Sequence, residues 1–246
     1  MSTAALTARG LRHAFGPLPV LDGIDLDVAD GEVVALVGPS GCGKSTLLEL
    51  ACGLQQPDGG SIDARPAGLM PQRDLLLPWL DARDNVALPL RVAGTARREA
   101  RATAQGLLDH VGLGAFARSA PDALSGGMRQ RVSFLRAVAG DRDLLCLDEP
   151  FGALDAITRE ALRHWLADRL AERSRSVLLV THDVEEAALL AERVVVLSPR
   201  PARVTATVAI DAGPARDRTA TDAAIVAARR TIHEALQTAI AAGAPA

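Results

Sequence analysis

The sequence predicts an α/β protein organised around a mainly parallel sheet, on three observations. Short, continuous apolar runs recur at 32–37 (EVVALV), 144–147 (LLCL), 177–180 (VLLV) and 194–197 (VVVL), separated by segments of helical length. Strands that are apolar throughout are buried on both faces, the condition of a parallel sheet covered by helices. Next, the run at 32–37 leads directly into a glycine-rich turn, Gly38-Pro39-Ser40-Gly41-Cys42-Gly43-Lys44-Ser45-Thr46, and then into a helical pattern. Finally, a chain of 246 residues, 48% hydrophobic and 23% charged, is long enough for one large core with a smaller lobe inserted in it.

Taken in order, residues 20–29 (VLDGIDLDVA) alternate apolar and polar and read as a half-buried strand, followed by the buried strand at 32–37. A helix is expected from 44 to 52, stopped by Gly53, and 61–71 reads as short strands leading to Gln72. From 78 to 139 the pattern turns helical, most clearly in TARREARATAQGLLDHVGL at 95–113, where apolar positions recur at helical spacing. This stretch is expected to form a helical subdomain over about 76–140 within one domain spanning 1–246. Beyond 197, residues 203–210 (RVTATVAI) suggest an edge strand, 211–222 a mobile connection, 223–240 a terminal helix and 241–246 a frayed end. Together they form a short extension over about 201–246.

Charge and composition exclude several classes. A net charge of -3 gives no general attraction to nucleic acid, and no local basic patch replaces it. Arg97, Arg98 and Arg101 are interleaved with alanines and read as a solvated helix face. No run approaches the roughly 18 apolar residues of a membrane span, and the amino terminus lacks the apolar centre of a secretory signal, so a soluble, cytoplasmic chain is expected. The three cysteines form no CxxC pair, which suits a reducing compartment. Cys52 and Cys146 are expected to be small buried hydrophobes, while the amides of a helix start are expected to lower the thiol pKa of Cys42.

Only one of the 27 basic residues is a lysine, and it is Lys44. A compact ammonium on a flexible stem fits among phosphate oxygens where a planar guanidinium does not. Gly38 to Ser45 matches GxxxxGK[ST] between a predicted strand and a predicted helix, the context that motif requires. Its glycines let the backbone curl so that several N–H groups point at a phosphate, and the helix start adds its positive end. In this pattern Lys44 reaches the β- and γ-phosphates, Ser45 binds Mg²⁺, and Thr46 bonds on the α-phosphate side.

Asp148 and Glu149 close the apolar strand at 144–147. Neighbouring strand residues point to opposite sides, so Asp148 can face a metal while Glu149 polarises an attacking water. His182 closes the next strand, at the edge where an open parallel sheet binds its ligand, within reach of a γ-phosphate. Leu124-Ser125-Gly126-Gly127-Met128-Arg129-Gln130 begins a helix with a hydroxyl and two bare amide positions, a second anion site. One nucleotide hardly needs two such sites in one chain, and two chains facing each other account for both.

With these motifs in place, the chain resembles the ATP-binding cassette ATPases over about residues 5–200. The phosphate loop at 38–46, Gln72, the LSGGMRQ segment, the CLDE strand end, Ala153-Leu154-Asp155 and His182 follow the family's order. The resemblance implies a P-loop NTPase fold with an antiparallel β region near the amino terminus and an inserted helical subdomain. It implies a head-to-tail homodimer with two ATP molecules, each between the phosphate loop of one copy and Ser125, Gly126 and Gly127 of the other. It further implies Glu149 as catalytic base, His182 as γ-phosphate contact, Gln72 as metal contact signalling to the helical lobe, and Asp155 as the link across the dimer. Phe15 matches an aromatic that stacks on adenine, keeping the π face without a tyrosine hydroxyl.

Within that family, Leu75-Leu76-Leu77-Pro78-Trp79-Leu80, Asp84 to Leu90 and FGALDAITRE at 151–160 resemble the importer branch serving nitrate, sulfonates, taurine and thiamine-precursor pyrimidines. Asp81-Ala82-Arg83 departs from that branch, which favours a threonine and small apolar residues there. The implied protein is an ATPase subunit, peripheral on the cytoplasmic face of the inner membrane. Its implied partners are separate permease subunits and a periplasmic or extracellular solute-binding protein. The alternatives are an export or lipoprotein-release ATPase, and an ATP-gated module without transport; the latter usually carries coiled coils or two fused cassettes, neither of which is present.

Overall fold

The computed structural model describes residues 4–173 and 175–242. In chain order the strands and helices of the first half are β1 (Leu6–Phe15), β2 (Leu18–Val28), β3 (Val33–Val37), α1 (Lys44–Ala51), β4 (Gly59–Ala64), β5 (Ala67–Met70), α2 (Ala82–Val92) and α3 (Arg97–His110). There follow α4 (Gly126–Ala139), β6 (Leu144–Asp148), α5 (Ala156–Arg173), β7 (Ser176–Val180), α6 (Val184–Leu190), β8 (Arg193–Leu197), β9 (Val204–Ala209) and α7 (Ala223–Ala242).

The sheet of six strands runs in the order β5-β6-β7-β3-β8-β9, parallel except for the edge strand β9. The apolar runs divide by residue parity, as a pleated strand requires. Val34, Leu36, Cys146, Leu178, Val180 and Val195 face α1 and a separate antiparallel sheet of order β2-β1-β4. Val33, Ala35, Val37, Leu145, Leu147, Leu179 and Val196 face the other way, into a core shared with α2 to α7. Because both faces are covered, β3, β6 and β7 are buried at every position.

β1 is absent from the sequence expectation, for a visible reason. Leu6 and Ala8 are buried, but a register shift between Ala8 and Leu11 breaks the two-residue period before Leu11 returns to the core. The helical stretch resolves into α2, α3 and α4 with short turns at Gly114–Phe116 and Pro121–Ala123. Asp81 caps α2 by accepting the Asp84 amide at 2.6 Å.

Two expectations are corrected here. Arg97 and Arg98 are exposed as expected, but Arg101 is half-buried and engaged: its Nε donates to Asp84 at 2.6 Å, with Arg97 3.8 Å from the same carboxylate, joining α2 to α3. These cations, Arg101 first, hold Asp84 below the usual carboxylate range. The 211–222 connection is not free either. Arg218 is 2% exposed and donates to the carbonyls of Gly213, Ala188 and Ala191, satisfying groups at the end of α6. The terminal helix extends to Ala242; the rest of the expected frayed end, 243–246, lies outside the described residues.

Candidate active site

Sheet order assembles the site. β6, β7 and β3 are neighbours, and Val180 is in register with both Asp148 and Leu36, so the three strands end level. The phosphate loop, the Asp148-Glu149 pair and His182 therefore meet at one carboxyl edge, with Gln72 following β5 beside them. A cleft of about 910 Å³ opens there, its lining including Phe15, Lys44, Gln72, Asp148, Glu149 and His182.

In the loop, the Lys44 ammonium donates to the carbonyls of Gly38 at 2.8 Å and Pro39 at 3.0 Å. Gly43 has φ 122°, and a Cβ there would lie 2.8 Å from Val20 Cγ1 and 2.9 Å from Leu21 Cδ2. Glycine is therefore required both by the backbone and by the space. No side chain caps α1, and Leu47 is the first of its residues to bond a carbonyl before the helix, that of Gly43 at 3.0 Å. The amides before it are available to an anion, which fits a bound polyphosphate.

Asp148 is 4% exposed and hydrogen-bonded to the Ser45 hydroxyl; burial raises its pKa despite that bond and the nearby Lys44. A buried carboxylate beside a hydroxyl supplies hard oxygen ligands. Among the described residues no cluster of three acidic, histidine or cysteine groups could hold a metal alone. The donor set thus fits Mg²⁺ taken up together with phosphate oxygens, the usual manner of that ion.

Glu149 adopts φ 51°, a left-handed conformation that costs an L-residue on the order of 1–2 kcal/mol. Its amide bonds Val180 O at 2.9 Å, and its Oε2 shares a 2.6 Å hydrogen bond with His182 Nδ1. The turn is locked by a residue that the sequence reading left without a role. Gln130 donates to Glu149 O at 2.7 Å and accepts from the Ala153 amide at 2.9 Å. Arg129 and Arg136 of the same helix were likewise missed: Arg129 Nε bonds Asp74 at 2.9 Å, and Arg136 bonds the carbonyls of Asp74 and Leu75, both at 2.8 Å. They tether the segment after Gln72, itself exposed. Spacing in sequence carries no signal for contacts of this range.

Ser125 caps α4 by accepting the Met128 amide at 3.3 Å. Ser125 and Gly126 are exposed, and a Cβ on Gly127 would stand 3.3 Å from Ala153 O. Gly126 reaches the cleft rim; Ser125, Gly127 and Asp155 lie outside the lining within one chain. Asp155 accepts the Thr158 amide at 3.0 Å and its hydroxyl at 2.7 Å, which hold its carboxyl below the usual range. Phe15 is 49% exposed and meets His13 edge to face at 5.0 Å, with its ring surface open to the cleft. Ser40, Gly41 and Thr46 line the cleft floor with Lys44. Cys42 departs from expectation: it is 2% exposed, and burial pushes its thiol up, outweighing Lys44 and the loop amides.

The ABC transporter family model matches residues 21–152. The aliphatic sulfonates import ATP-binding protein SsuB of Mycobacterium sp. (strain MCS) is 52% identical over 199 residues, 80% of this chain and 81% of that protein. The formylaminopyrimidine import ATP-binding protein ThiZ of Halalkalibacterium halodurans is 45% identical over 186 residues, 74% of this chain and 75% of that one. Among solved structures, the dimeric post-hydrolysis state of the ATP-binding cassette MJ0796 bound to ADP and Pi superimposes with a TM-score of 0.77 at 28% identity, covering 84% of this chain and 99% of that chain. A phosphate loop and an acid–histidine pair at one sheet edge, in a chain so similar over most of its length to import ATP-binding proteins, place it in the ABC transporter family, as an ATP-binding cassette ATPase.

Proposed function

We propose that this ATPase powers uptake of a small sulfonated solute through separate permease subunits, hydrolysing MgATP in a homodimer at the cytoplasmic face of the membrane. The observation that carries the hydrolytic part is the 2.6 Å bond between Glu149 and His182 at the mouth of a cleft containing Lys44 and Asp148. On nucleotide binding, Lys44 exchanges the carbonyls of Gly38 and Pro39 for β- and γ-phosphate oxygens, while the amides of the loop from Gly38 to Thr46, Cys42 included, cradle the chain of phosphates. Ser45, Asp148 and Gln72 would hold Mg²⁺, which would supply neutralisation of the phosphate charge. Glu149 takes the proton of the attacking water; His182 orients that carboxylate and contacts the γ-phosphate. Phe15 stacks on the adenine.

The partner copy completes the site. Ser125 caps, and Gly126 and Gly127 begin, a 14-residue helix whose exposed Ser125 and Gly126 are suited to grip the γ-phosphate from the other side, with Asp155 reporting closure across the interface. Leu75 and Trp79 are 61% and 75% exposed on the segment after Gln72, an apolar surface that suits a permease contact. No helix among the described residues is long and apolar enough to cross a membrane; in this reading the permease subunits supply the translocation path. The sulfonate assignment follows the SsuB likeness, and an extracellular solute-binding protein would deliver the solute.

Phosphate release by the purified chain tests the ATPase assignment. Glu149→Gln should lower turnover by at least about 100-fold while ATP-dependent dimers persist in gel filtration. Full turnover in the variant sinks the assignment of the base. Uptake by vesicles carrying the chain with its genomically neighbouring permease, comparing alkanesulfonates, taurine and formylaminopyrimidine, tests the solute.

A further inference from the structure

Behind the Glu149–His182 pair lies a second carboxyl group that the mechanism leaves without a role. Glu186, on the first turn of α6, is 5% exposed, and its Oε1 has no hydrogen-bond partner among the described residues. Its Oε2 accepts from the Thr181 hydroxyl at 3.0 Å. That hydroxyl accepts the Asp183 amide, also at 3.0 Å, so a single oxygen bridges the residues on either side of His182. A hydroxyl has one proton; given to Glu186, it leaves the lone pairs turned toward Asp183. Asp183 in turn caps α6 by accepting the amides of Glu185 at 2.9 Å and Glu186 at 3.2 Å. The chain therefore enters and leaves His182 through fixed bonds.

We infer that Glu186 is a positioning residue for His182, acting through the Thr181 hydroxyl that bridges it to the Asp183 amide; the inference rests on the ATPase reading above. The groups that face it are Asp183 at the start of α6, Glu149 after β6, and Arg159 and Arg163 on α5. Arg159 lies 3.7 Å from Asp183, its ion-pair partner. Burial above all, with the two neighbouring carboxylates adding to it, pushes Glu186 up to about 8. Ionised there, it would be a buried charge beside two others of like sign, and the favourable escape is outward. A cavity of about 340 Å³ between α5, α6 and the segment from Arg218, with Arg159 and Arg163 in its lining, offers that route. Moving the first turn of α6 outward would release Thr181 and with it the setting of His182.

The test is the pH profile of Mg²⁺-dependent ATP hydrolysis for the whole chain, from about pH 6.5 to 9.5, in wild type, Glu186→Gln, Glu186→Ala and Thr181→Val. The amide of glutamine keeps the carbonyl acceptor and cannot ionise. Glu186→Gln should stay within about twofold of wild-type kcat near pH 7 and exceed it about tenfold near pH 9.5. Glu186→Ala and Thr181→Val should lose about tenfold in kcat across the range, with fluorescent-ATP affinity within about twofold of wild type. Parallel profiles for Glu186→Gln and wild type, or wild-type kcat in Thr181→Val, overturn the inference, and they do so even if Glu186→Ala fails to fold. A wild type without ATPase activity overturns the ATPase reading and this inference with it. A wild type silenced by Glu149→Gln yet showing those parallel profiles overturns this inference alone.

Discussion

The side-chain amide of Gln130 spans from α4 to the turn after β6, donating to the Glu149 carbonyl at 2.7 Å and accepting the Ala153 amide at 2.9 Å. One planar group thus fixes both ends of the turn that presents the carboxylate, and offsets the cost of a left-handed glutamate. Gln130→Ala should lower kcat about tenfold while ATP affinity changes less than about threefold, because the loop that binds phosphate is untouched. Steady-state kinetics alongside equilibrium titration separates the two; a large loss of affinity with normal kcat would contradict the role given to Gln130.

Lys44 is 8% exposed and bonded to two loop carbonyls, so its ammonium is already inside the cradle. Lys44→Ala removes the only cation of the loop and should weaken ATP binding by at least about tenfold, measured with a fluorescent analogue. Its fold should persist by circular dichroism, since the hydrogen bonds of the ammonium stay within its own loop.

The cysteines differ in reactivity for reasons of burial. The Cys42 thiol is buried and pushed up, whereas Cys52 is half-buried and its thiol is lowered by a hydrogen bond with Cys146. Iodoacetamide near neutral pH should therefore label Cys52 first, with Cys42 at least about tenfold slower until denaturant is added. Peptide mass spectrometry over time reads the order.

Glu186 also sets a pH dependence of stability. Its folded value of about 8 lies above the ordinary 4.5, so between these values the folded chain keeps a proton that the unfolded chain has lost. Stability therefore falls as pH rises through that window and levels off above about 8. The loss is on the order of several kcal/mol, and Glu186→Gln lacks it. The melting temperature of Glu186→Gln should draw ahead of wild type between about pH 5 and 8.5; a constant difference would show that Glu186 ionises normally.

Much of this fold is legible in the sequence. The apolar runs at β3, β6, β7 and β8 announce a covered parallel sheet because strands buried on both faces read as continuous apolar runs. The phosphate loop, Asp148, Glu149 and His182 are legible because strand ends are where such a sheet gathers its chemistry. β1 was hidden by its bulge, since periodicity is the only local sign of a strand. Gln130, Arg218 and Glu186 were hidden because their meaning lies in partners 19, 27 and 5 residues away, respectively, and in burial. Cys42 was misread because a helix start and a buried pocket act on a thiol in opposite directions, and burial wins.

The arginines of α4 have a mechanical consequence. Arg129 and Arg136 grip the main chain and carboxylate of residues 74 and 75, and Asn85 takes up the strip behind them by bonding Leu77, Leu80 and Asp81. The helix that starts at Gly126 and the loop that displays Trp79 are thus bolted into one crank. Turning one end without the other would break the arginine bonds to residues 74 and 75.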